Sequence, residues 1–220
     1  MDEWLFRRWN ARVAAGALVL DIGCADGRSA FQWASQQRTV IGFDISRRMV
    51  ECARDRARRE GLADRMAFVV ADGDRMPFAA GAFDAVCTYG VLHHVPDPSR
   101  TLVQACQLLK PGSGQFFALE NNSSALRFAF DALMRVLPLW FELAGSEPLI
   151  SQSQFRDWLK GQPVDHQCFT SVFLPPHVFN WLGTGGARSL LRVSDGLSRV
   201  VPWWKHQGGL IVLEVQRSGA

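Results

Sequence analysis

The sequence predicts an α/β fold built on a mostly parallel sheet that helices cover on both faces. Short apolar runs alternate with helical segments along the first 121 residues, and this alternation is typical of βαβ units. The runs are nearly continuous in apolar residues, as expected of strands buried on two sides. The chain has 220 residues, of which 48% are hydrophobic and 20% charged, so it has the size and composition of one globular domain.

Five strands and four helices are predicted in this first part. The strands are Ala17 to Ile22, Thr39 to Phe43, Met66 to Ala71, Phe83 to Tyr89 and Gln115 to Glu120. The helices are Arg7 to Ala15, Gly27 to Gln36, Arg47 to Glu60 and Pro98 to Leu109. Ser46 has the side chain of a helix cap before the third helix, and Gly61 ends it.

The later residues predict two more strands and two more helices, the first of which carries an apolar stripe. The helices are Ser124 to Leu143, which Pro138 should kink, and Ser151 to Lys160. Ser151 and Gln154 stand in the register of a capping box. The strands are His166 to Leu174 and Leu210 to Gln216, which bring the total to seven.

Charge and cysteine content exclude several classes of protein. The net charge of +3 is too small to indicate nucleic acid. The arginines between Arg47 and Arg59 alternate with Glu51 and Asp55, which is typical of a solvated helix face. Five scattered cysteines without a C-x-x-C pair argue against a disulfide framework and a zinc site. Because we recognise neither a signal peptide nor a membrane-spanning run, we expect a cytoplasmic protein.

The first motif is a tight loop between the first strand and the helix that follows it. This loop runs from Gly23 to Gly27 and consists of small residues apart from Asp26. Such a turn lets the backbone approach a ligand and directs helix N–H groups toward it. By itself, the pattern is equally compatible with a strand-to-helix turn that binds nothing.

The second motif is Asp44, which ends the next strand 21 residues after Gly23. An acidic side chain there can accept hydrogen bonds from both hydroxyls of a ribose, although it could also cap the following helix. A dinucleotide-binding loop would carry glycines at positions 25 and 28, where this chain has Ala25 and Arg28. The two motifs therefore indicate an adenosine-containing cofactor and disfavour a nicotinamide-dependent oxidoreductase.

Four segments of the chain resemble the motifs of class I S-adenosylmethionine-dependent methyltransferases. They are LDIGCADG, IGFDISRRMV, VVADGDRMPFAAGAFDAVCTYGVLHHV and LLKPGSGQFFALEN. The resemblance covers residues 17–121 in the right order and is much weaker after residue 122. It is to the small-molecule branch, similar to the ubiquinone and menaquinone biosynthesis methyltransferases.

The resemblance implies a Rossmann-like fold with a seven-stranded, mostly parallel sheet whose final strand is antiparallel. It also divides a single domain, residues 1–220, into a cofactor-binding half (1–121) and a substrate-side half (122–220). Residues 122–150 and 175–207 would be insertions over the carboxyl ends of the strands, where ligands bind in such sheets. Only 16 residues precede the first strand, so a lid helix found in relatives should be largely absent or replaced by another segment.

The resemblance further assigns residues of the glycine loop to the methionine part of S-adenosylmethionine. These residues are Asp21, Gly23, Cys24, Ala25 and Gly27. Cys24 and Ala25 would act through their backbone. Ala25 stands where relatives commonly have glycine, and if its φ is positive it costs on the order of 1 kcal/mol.

The adenosine part would be held by residues that follow the second and third strands. Asp44 would bind the ribose, and Ile45 would pack on the adenine. Asp72 would accept a hydrogen bond from the adenine amino group, and Gly73 would offer its backbone N–H. Tyr89 would lie beside the methyl group. The alternative for Asp72 and Gly73 is an ordinary turn.

Candidates for catalysis lie just after the fourth and fifth strands. His94 and Tyr89 are the predicted catalytic residues, with His94 as a general base and His93 ranked below it. The histidine pair could instead only orient its loop. Glu120 and Asn121 also face the expected pocket, unless they cap the helix that follows.

We therefore predict methyl transfer from S-adenosylmethionine to a small, apolar or lipid-like metabolite, without a metal ion. The second half of the chain is rich in Trp, Phe and Leu, which favours an apolar pocket. Most of these residues should be core, but Trp203-Trp204 and the segment from Leu137 to Phe141 could also make a peripheral membrane contact. A non-catalytic scaffold with the same fold is the main alternative function.

Overall fold

The structure, a computed structural model, describes residues 3–125, 148–171 and 203–219, together with single positions within 127–132 and 182–201. Its strands are β1 (Leu18–Ile22), β2 (Thr39–Asp44), β3 (Met66–Val70), β4 (Ala85–Tyr89), β5 (Gln115–Asn121), β6 (Val164–Ser171) and β7 (Leu210–Arg217). Its helices are α1 (Glu3–Asn10), α2 (Arg28–Ala34), α3 (Arg47–Arg59), α4 (Pro98–Leu108) and α5 (Gln152–Leu159).

Among the described residues, the strands form one seven-stranded sheet in the order β3-β2-β1-β4-β5-β7-β6. The pairs among β1 to β5 are parallel, whereas β7 runs antiparallel to both β5 and β6. The predicted fold class is thus confirmed, including the antiparallel final strand. Because parallel strands end at the same edge, the residues that follow β1, β2, β4 and β5 meet there, beside the start of β7.

Two hydrophobic clusters cover the two faces of the sheet. On one face, α1, α2 and α3 bury Trp9, Trp33 and Val50 against strand residues such as Phe117. On the other face, α4 and α5 bury Leu102 and Phe155. Because β1 and β4 are covered from both sides, their residues are almost wholly buried, which explains their continuous apolar sequence.

Local capping residues fix where the helices begin. The side chain of Ser46 accepts a hydrogen bond from the backbone N–H of Met49, and Asp97 caps α4 ahead of Pro98. The capping box of Ser151 and Gln154 is present at the start of α5, as predicted.

The first helix differs from its prediction, which was Arg7 to Ala15. It begins earlier because Leu5 and Trp9, one turn apart, are both buried on the sheet. It ends at Asn10, where the guanidinium of Arg38 donates to the backbone carbonyl of Asn10 and, beyond the helix, to that of Ala14. A short helix therefore precedes β1, as predicted, although its bounds differ from the predicted ones.

Two other predicted elements fall partly outside the described residues. Residues 125, 127–129 and 132 of the predicted helix 124–143 are helical, and its other residues beyond 125 lie outside the described part. The predicted strand His166 to Leu174 begins earlier, at Val164, and is described as far as Ser171.

Candidate functional site

The loop between β1 and α2 has the strained backbone that a close approach to a ligand requires. Gly23 and Gly27 adopt φ values of 65° and 88°. A Cβ atom at Gly23 would lie 2.6 Å from Val91, and one at Gly27 would lie 2.9 Å from Phe31. Ala25 has a positive φ of 46°. Alanine in this conformation costs about 1 kcal/mol, as expected for a positive φ at this position.

Asp44 connects this loop to the end of β2. One oxygen of its carboxylate, Oδ2, accepts the backbone N–H of Ala25 at 2.9 Å, and Oδ1 accepts that of Ser46 at 2.8 Å. The next residue, Ile45, is 74% exposed, which is high for a large apolar side chain. Asp44 therefore holds the loop in place, and Ile45 offers an apolar surface beside it.

Asp21 lies beneath the loop rather than in it. Its side chain is completely buried and accepts hydrogen bonds from the hydroxyl of Ser29 and the thiol of Cys87. Burial raises the pKa of Asp21 to about 7, against the lowering effect of those two donors. Its carboxylate thus reaches the ligand side of the loop only through Ser29.

Asp72 and Gly73 follow β3 and stand apart from the loop. Asp72 is exposed, and its Oδ1 accepts the backbone N–H of Asp74 at 3.0 Å, which makes a turn. The backbone geometry is that of the ordinary turn, and the predicted contact with adenine stays a prediction.

A cavity of about 450 Å³ lies at the carboxyl edge of the sheet, next to the glycine loop. Its described lining residues are Gly23, Cys24, Ala25, Asp26, Arg28, Ser29, Gln32, Tyr89, Gly90, His93, Leu119, Glu120, Asn121 and Leu210. The cavity brings together most of the predicted methionine-binding residues with Tyr89, Glu120 and Asn121. Neither Asp44 nor Ile45 lines it, nor do Asp72 and Gly73.

The described lining carries more polar side chains than the predicted apolar acceptor suggests. Leu119 and Leu210 are its large aliphatic members. Most of the predicted covering segments, 122–150 and 175–207, and Trp140 within them, lie outside the described residues. The apolar character of the acceptor therefore stays a prediction.

A buried histidine–carboxylate pair forms one wall of the cavity. His93 Nδ1 lies 2.6 Å from Glu120 Oε2. The other oxygen of Glu120 accepts the backbone N–H groups of Val91 and Leu92, both at 2.9 Å. Both side chains are almost fully buried, with 4% and 0% of their surface exposed. Glu120 therefore fixes the position of the His93 ring.

The two predicted catalytic residues have different surroundings. His94 is exposed and does not line the cavity, although its ring centroid lies 4.0 Å from that of His93. Tyr89 lines the cavity, and its ring packs on Trp9 with centroids 5.5 Å apart. Burial raises the pKa of Tyr89 well above its usual value, so its hydroxyl keeps its proton at ordinary pH.

The sequence is similar to those of known methyltransferases. A family profile described as "Methyltransferase domain" matches residues 20–117. The ubiquinone biosynthesis O-methyltransferase of Cronobacter sakazakii is 31% identical over 166 residues, covering 73% of this chain and 67% of that protein. The chain belongs to the methyltransferase domain family.

Other relatives match this family member over a smaller part of their length. Methyltransferase GfsG of Streptomyces halstedii is 39% identical over 114 residues, which cover 51% of this chain and 40% of that protein. The 27-O-demethylrifamycin SV methyltransferase of Amycolatopsis mediterranei is 38% identical over 99 residues, covering 44% and 36%. The chain thus spans well under half the length of these two relatives.

Solved structures of low sequence identity share the fold of this family member. The YcgJ protein of Bacillus subtilis superposes with a TM-score of 0.67 at 17% identity, covering 98% of this chain and 97% of that one. The phosphoethanolamine N-methyltransferase 2 of Haemonchus contortus, in complex with S-adenosyl-L-methionine, gives 0.64 at 19% identity, covering 98% and 52%. At these identities the likeness shows the fold alone.

Two features are absent from the described part of the chain. No group of three or more His, Cys, Asp or Glu side chains there could hold a metal ion. None of its helices, within the same residues, is long and apolar enough to cross a membrane.

Several side chains of the cavity were not predicted from the sequence, among them Arg28 and Gln32. Gln32 received no role, and Arg28 was considered only as a missing glycine. The signal that could have found them is their spacing: residues four apart lie on one face of a helix, so a helix that starts at the loop presents both to the same side.

Proposed function

We propose that this chain transfers a methyl group from S-adenosylmethionine to a hydroxyl group of a small metabolite. The observation that carries the proposal is the His93–Glu120 pair in a cavity that also borders the glycine loop. The O-methyltransferase named among the relatives supports the same reaction class.

The groups of the site fit that cofactor. Each oxygen of the Asp44 carboxylate accepts one backbone N–H, and a carboxylate oxygen has two acceptor positions, so both keep capacity for ribose hydroxyls. Ile45, which is 74% exposed, would pack on the adenine ring. Asp72 and Gly73 would form hydrogen bonds with the polar edge of the adenine. The loop from Gly23 to Gly27 would hold the methionine part through its backbone.

Asp21 has a positioning role in this proposal. Because its carboxyl group is buried and bonded to Ser29, it acts on the ligand through that hydroxyl rather than by direct contact. Cys24, whose side chain is buried, would contribute backbone atoms, as would Ala25.

S-adenosylmethionine, when bound, supplies an electrophilic methyl group on a sulfonium. The task left to the protein is to place the acceptor hydroxyl and remove its proton. Glu120 accepts two backbone N–H groups and faces His93 Nδ1, so the proton of the ring belongs on Nδ1. The Nε2 lone pair of His93 is then the group that accepts the hydroxyl proton.

We therefore assign the general base to His93 instead of His94. His94 is exposed and does not line the cavity. Tyr89, whose pKa is raised by burial, would shape the wall beside the methyl group. An acceptor that must lose a proton, such as a phenol or an enol, suits a base of this kind better than a neutral amine.

The first test is calorimetric titration of the protein with S-adenosylhomocysteine and, separately, with NAD. Saturable binding of S-adenosylhomocysteine alone supports the proposal, and binding of NAD alone overturns it. Incubation with methyl-labelled S-adenosylmethionine and a small-molecule extract then distinguishes an enzyme from a scaffold. An enzyme releases S-adenosylhomocysteine and labels a metabolite that gains one methyl group by mass, whereas a scaffold does neither.

The base has its own test once an acceptor is found. His93→Gln and Glu120→Gln should lower kcat by about 100-fold or more, a typical contribution of a general base, and leave S-adenosylhomocysteine affinity unchanged. His94→Gln is the matched control and should retain activity. Full loss with His94→Gln and none with His93→Gln would return the base to His94.

We also propose that the substrate-side half touches an anionic membrane surface. Val193, Leu197 and Val200 lie at helical positions spaced by four and three residues and are 59%, 36% and 76% exposed, and Trp203 is 53% exposed. Residues 172–209 have four cationic and one acidic residue, a net +3 that equals the net charge of the whole chain. Exposed apolar side chains beside cationic ones are typical of interfacial segments.

A further inference from the structure

Helix α2 presents two polar side chains to the cavity one turn apart. Arg28 is its first residue and Gln32 follows four residues later, and both line the cavity. On a helix, residues four apart have Cβ atoms about 5–6 Å from each other on the same face. The two side chains can therefore contact one ligand group together.

The side-chain oxygen of Gln32 has no hydrogen-bond partner within the described residues. Its Oε1 atom is inaccessible to solvent in the structure. A buried acceptor that lacks a donor costs roughly 1–3 kcal/mol, and native proteins rarely leave one without a reason. Because Gln32 lines the cavity, rotation of its terminal amide would turn this oxygen toward the cavity, where a ligand N–H group would satisfy it.

Arg28 complements Gln32 with a positive charge. It is exposed and makes no salt bridge with any carboxylate in the part of the chain that the structure describes. A guanidinium offers a planar pair of donors that matches a carboxylate. A cationic donor set and a neutral acceptor, side by side, are complementary to a carboxylate and an ammonium group on the same small molecule.

We propose that Arg28 and Gln32 bind the amino-acid end of S-adenosylmethionine. Arg28 pairs with the α-carboxylate, and Gln32 Oε1 accepts a hydrogen bond from the α-ammonium group. We assign the pair to this end of the cofactor because Arg28 directly follows Gly27, the last residue of the loop proposed to hold the methionine part. His93 and Glu120, which we propose act on the acceptor, come instead from the segment after β4 and from the end of β5. The inference rests on the proposed function, since it names residues of this chain that read one end of the same cofactor.

The test compares two ligands that differ only at that end. S-adenosylhomocysteine carries the amino-acid group, and 5′-methylthioadenosine keeps the adenosine and the sulfur but lacks it. Calorimetry on Arg28→Gln and Gln32→Leu should show S-adenosylhomocysteine bound about tenfold more weakly in each case, which is about 1.4 kcal/mol. Their affinity for 5′-methylthioadenosine should stay within about twofold of wild type, because the missing contacts are not made with it.

Two controls keep the experiment decisive. Gln36→Leu changes an exposed glutamine outside the cavity lining and should leave both affinities unchanged. Arg28 is exposed, so Arg28→Gln should fold even if Gln32→Leu lowers the Tm.

Three results would overturn the inference. The first is an unchanged affinity of Arg28→Gln and Gln32→Leu for S-adenosylhomocysteine. The second is an equal loss for both ligands, which would mean that the variants disturb the loop. In both cases wild-type binding would leave the proposed function standing. Wild-type protein that binds neither ligand would instead overturn the proposed function together with the inference.

Discussion

The backbone N–H of Ala25 donates to Asp44 Oδ2 at 2.9 Å, and this bond joins the glycine loop to the end of the neighbouring strand. Ala25 has a positive φ of 46°, a conformation that glycine adopts without cost and alanine does not. The bond to Asp44 thus helps to hold a strained residue in place. Asp44, predicted as the ribose ligand, also positions the loop that we propose holds the methionine part of the cofactor.

Replacing Ala25 with glycine should stabilise the protein. The left-handed strain of alanine costs about 1–2 kcal/mol, and the added chain entropy of glycine in the unfolded state offsets about 0.4–1 kcal/mol of the gain. We expect Ala25→Gly to raise the free energy of unfolding by about 0.5 kcal/mol in urea titrations. Ala79→Gly, at an exposed position without a positive φ, should instead lower it slightly. A decrease with Ala25→Gly would contradict the strain argument.

Removing the Asp44 carboxylate should weaken cofactor binding and loosen the loop at once. Lost contacts to the ribose hydroxyls should cost about 1.5–3 kcal/mol, so Asp44→Ala should bind S-adenosylhomocysteine about tenfold or more weakly by calorimetry. Asp64→Ala, a change in an exposed turn, is the control and should bind like wild type. Unchanged affinity in a folded Asp44→Ala variant would remove the ribose assignment.

The buried Asp21 should make stability depend on pH. Its folded pKa is raised to about 7 from an ordinary value of 3.8, so between these values the folded state binds more protons than the unfolded state. Stability therefore falls as pH rises through this window. Urea titrations should show that Asp21→Asn, which carries no charge, gains stability relative to wild type between pH 5 and pH 8. A difference that stays constant with pH would mean that Asp21 titrates normally.

Glu214 on β7 should be a major stabilising residue of the N-terminal helix. Its fully buried carboxylate accepts hydrogen bonds from Arg8 at 2.7 and 2.8 Å, from Trp9 Nε1 at 2.9 Å and from Arg12 at 2.5 Å. Glu214→Ala would leave the buried Trp9 Nε1–H without its acceptor and the partly exposed guanidinium groups of Arg8 and Arg12 without their counter-charge. We expect a loss of roughly 1–3 kcal/mol in the free energy of unfolding. Glu60→Ala, which breaks an exposed pair with Arg56, should cost under about 0.5 kcal/mol.

The same residue predicts a loss of stability in acid. Burial alone would raise the pKa of Glu214, but the hydrogen bond from Arg8 and the charges of Arg8 and Arg12 outweigh it and lower the pKa below 4.5. The contribution of Glu214 to stability is then present at pH values above its pKa in the unfolded state. It is lost as the pH falls through its lower pKa in the folded state. Glu214→Gln should therefore differ from wild type at pH 7 and approach it in urea titrations as the pH falls below the ordinary pKa of 4.5.

Membrane contact is measurable with vesicles of defined composition. The protein should co-sediment with vesicles that contain anionic phosphatidylglycerol and much less with vesicles of neutral phosphatidylcholine, because the cationic residues of 172–209 favour negative charge. Trp203→Ser removes a side chain that is 53% exposed and should reduce the bound fraction severalfold. Trp158→Ser, on α5, is a comparison outside this segment. Equal sedimentation with both vesicle types, or with none, would contradict the membrane proposal.

Local sequence determined the strands, most helix ends and the glycine loop, because each depends on neighbours in the chain. Ser46, Ser151 and Gln154 cap helices as their spacing predicts. The sequence also identified Ala25 as a position where a positive φ would be costly, because relatives commonly have glycine there. The extent of α1 could not be predicted in this way, because the carbonyls at and beyond its end bond to Arg38. Arg38 lies 24 residues beyond Ala14 in the chain.

The cavity wall formed by His93 and Glu120 shows most clearly what the sequence could not predict. The sequence placed His93 and His94 together after β4 and Glu120 at the end of β5, and from it we predicted His94 as the base, with His93 ranked below it. Only the pairing of β4 with β5 brings Glu120 to within 2.6 Å of His93 Nδ1 and leaves His94 exposed. Adjacent residues in a tight turn point in different directions, and which one faces the cavity is decided by packing.

By itself, the sequence determined the fold class and the order of the cofactor motifs, since both follow from hydrophobic periodicity and from residue types at fixed spacings. The tertiary structure alone decided that Asp21 is buried under the loop, that Asp44 bonds to Ala25, and that Arg28 and Gln32 line the same cavity. These facts depend on burial and on contacts between segments that are distant in the chain. The residue pattern of a sequence shows neither burial nor long-range contacts. The solvent exposure and the partners of a side chain are set only when the strands and helices pack together.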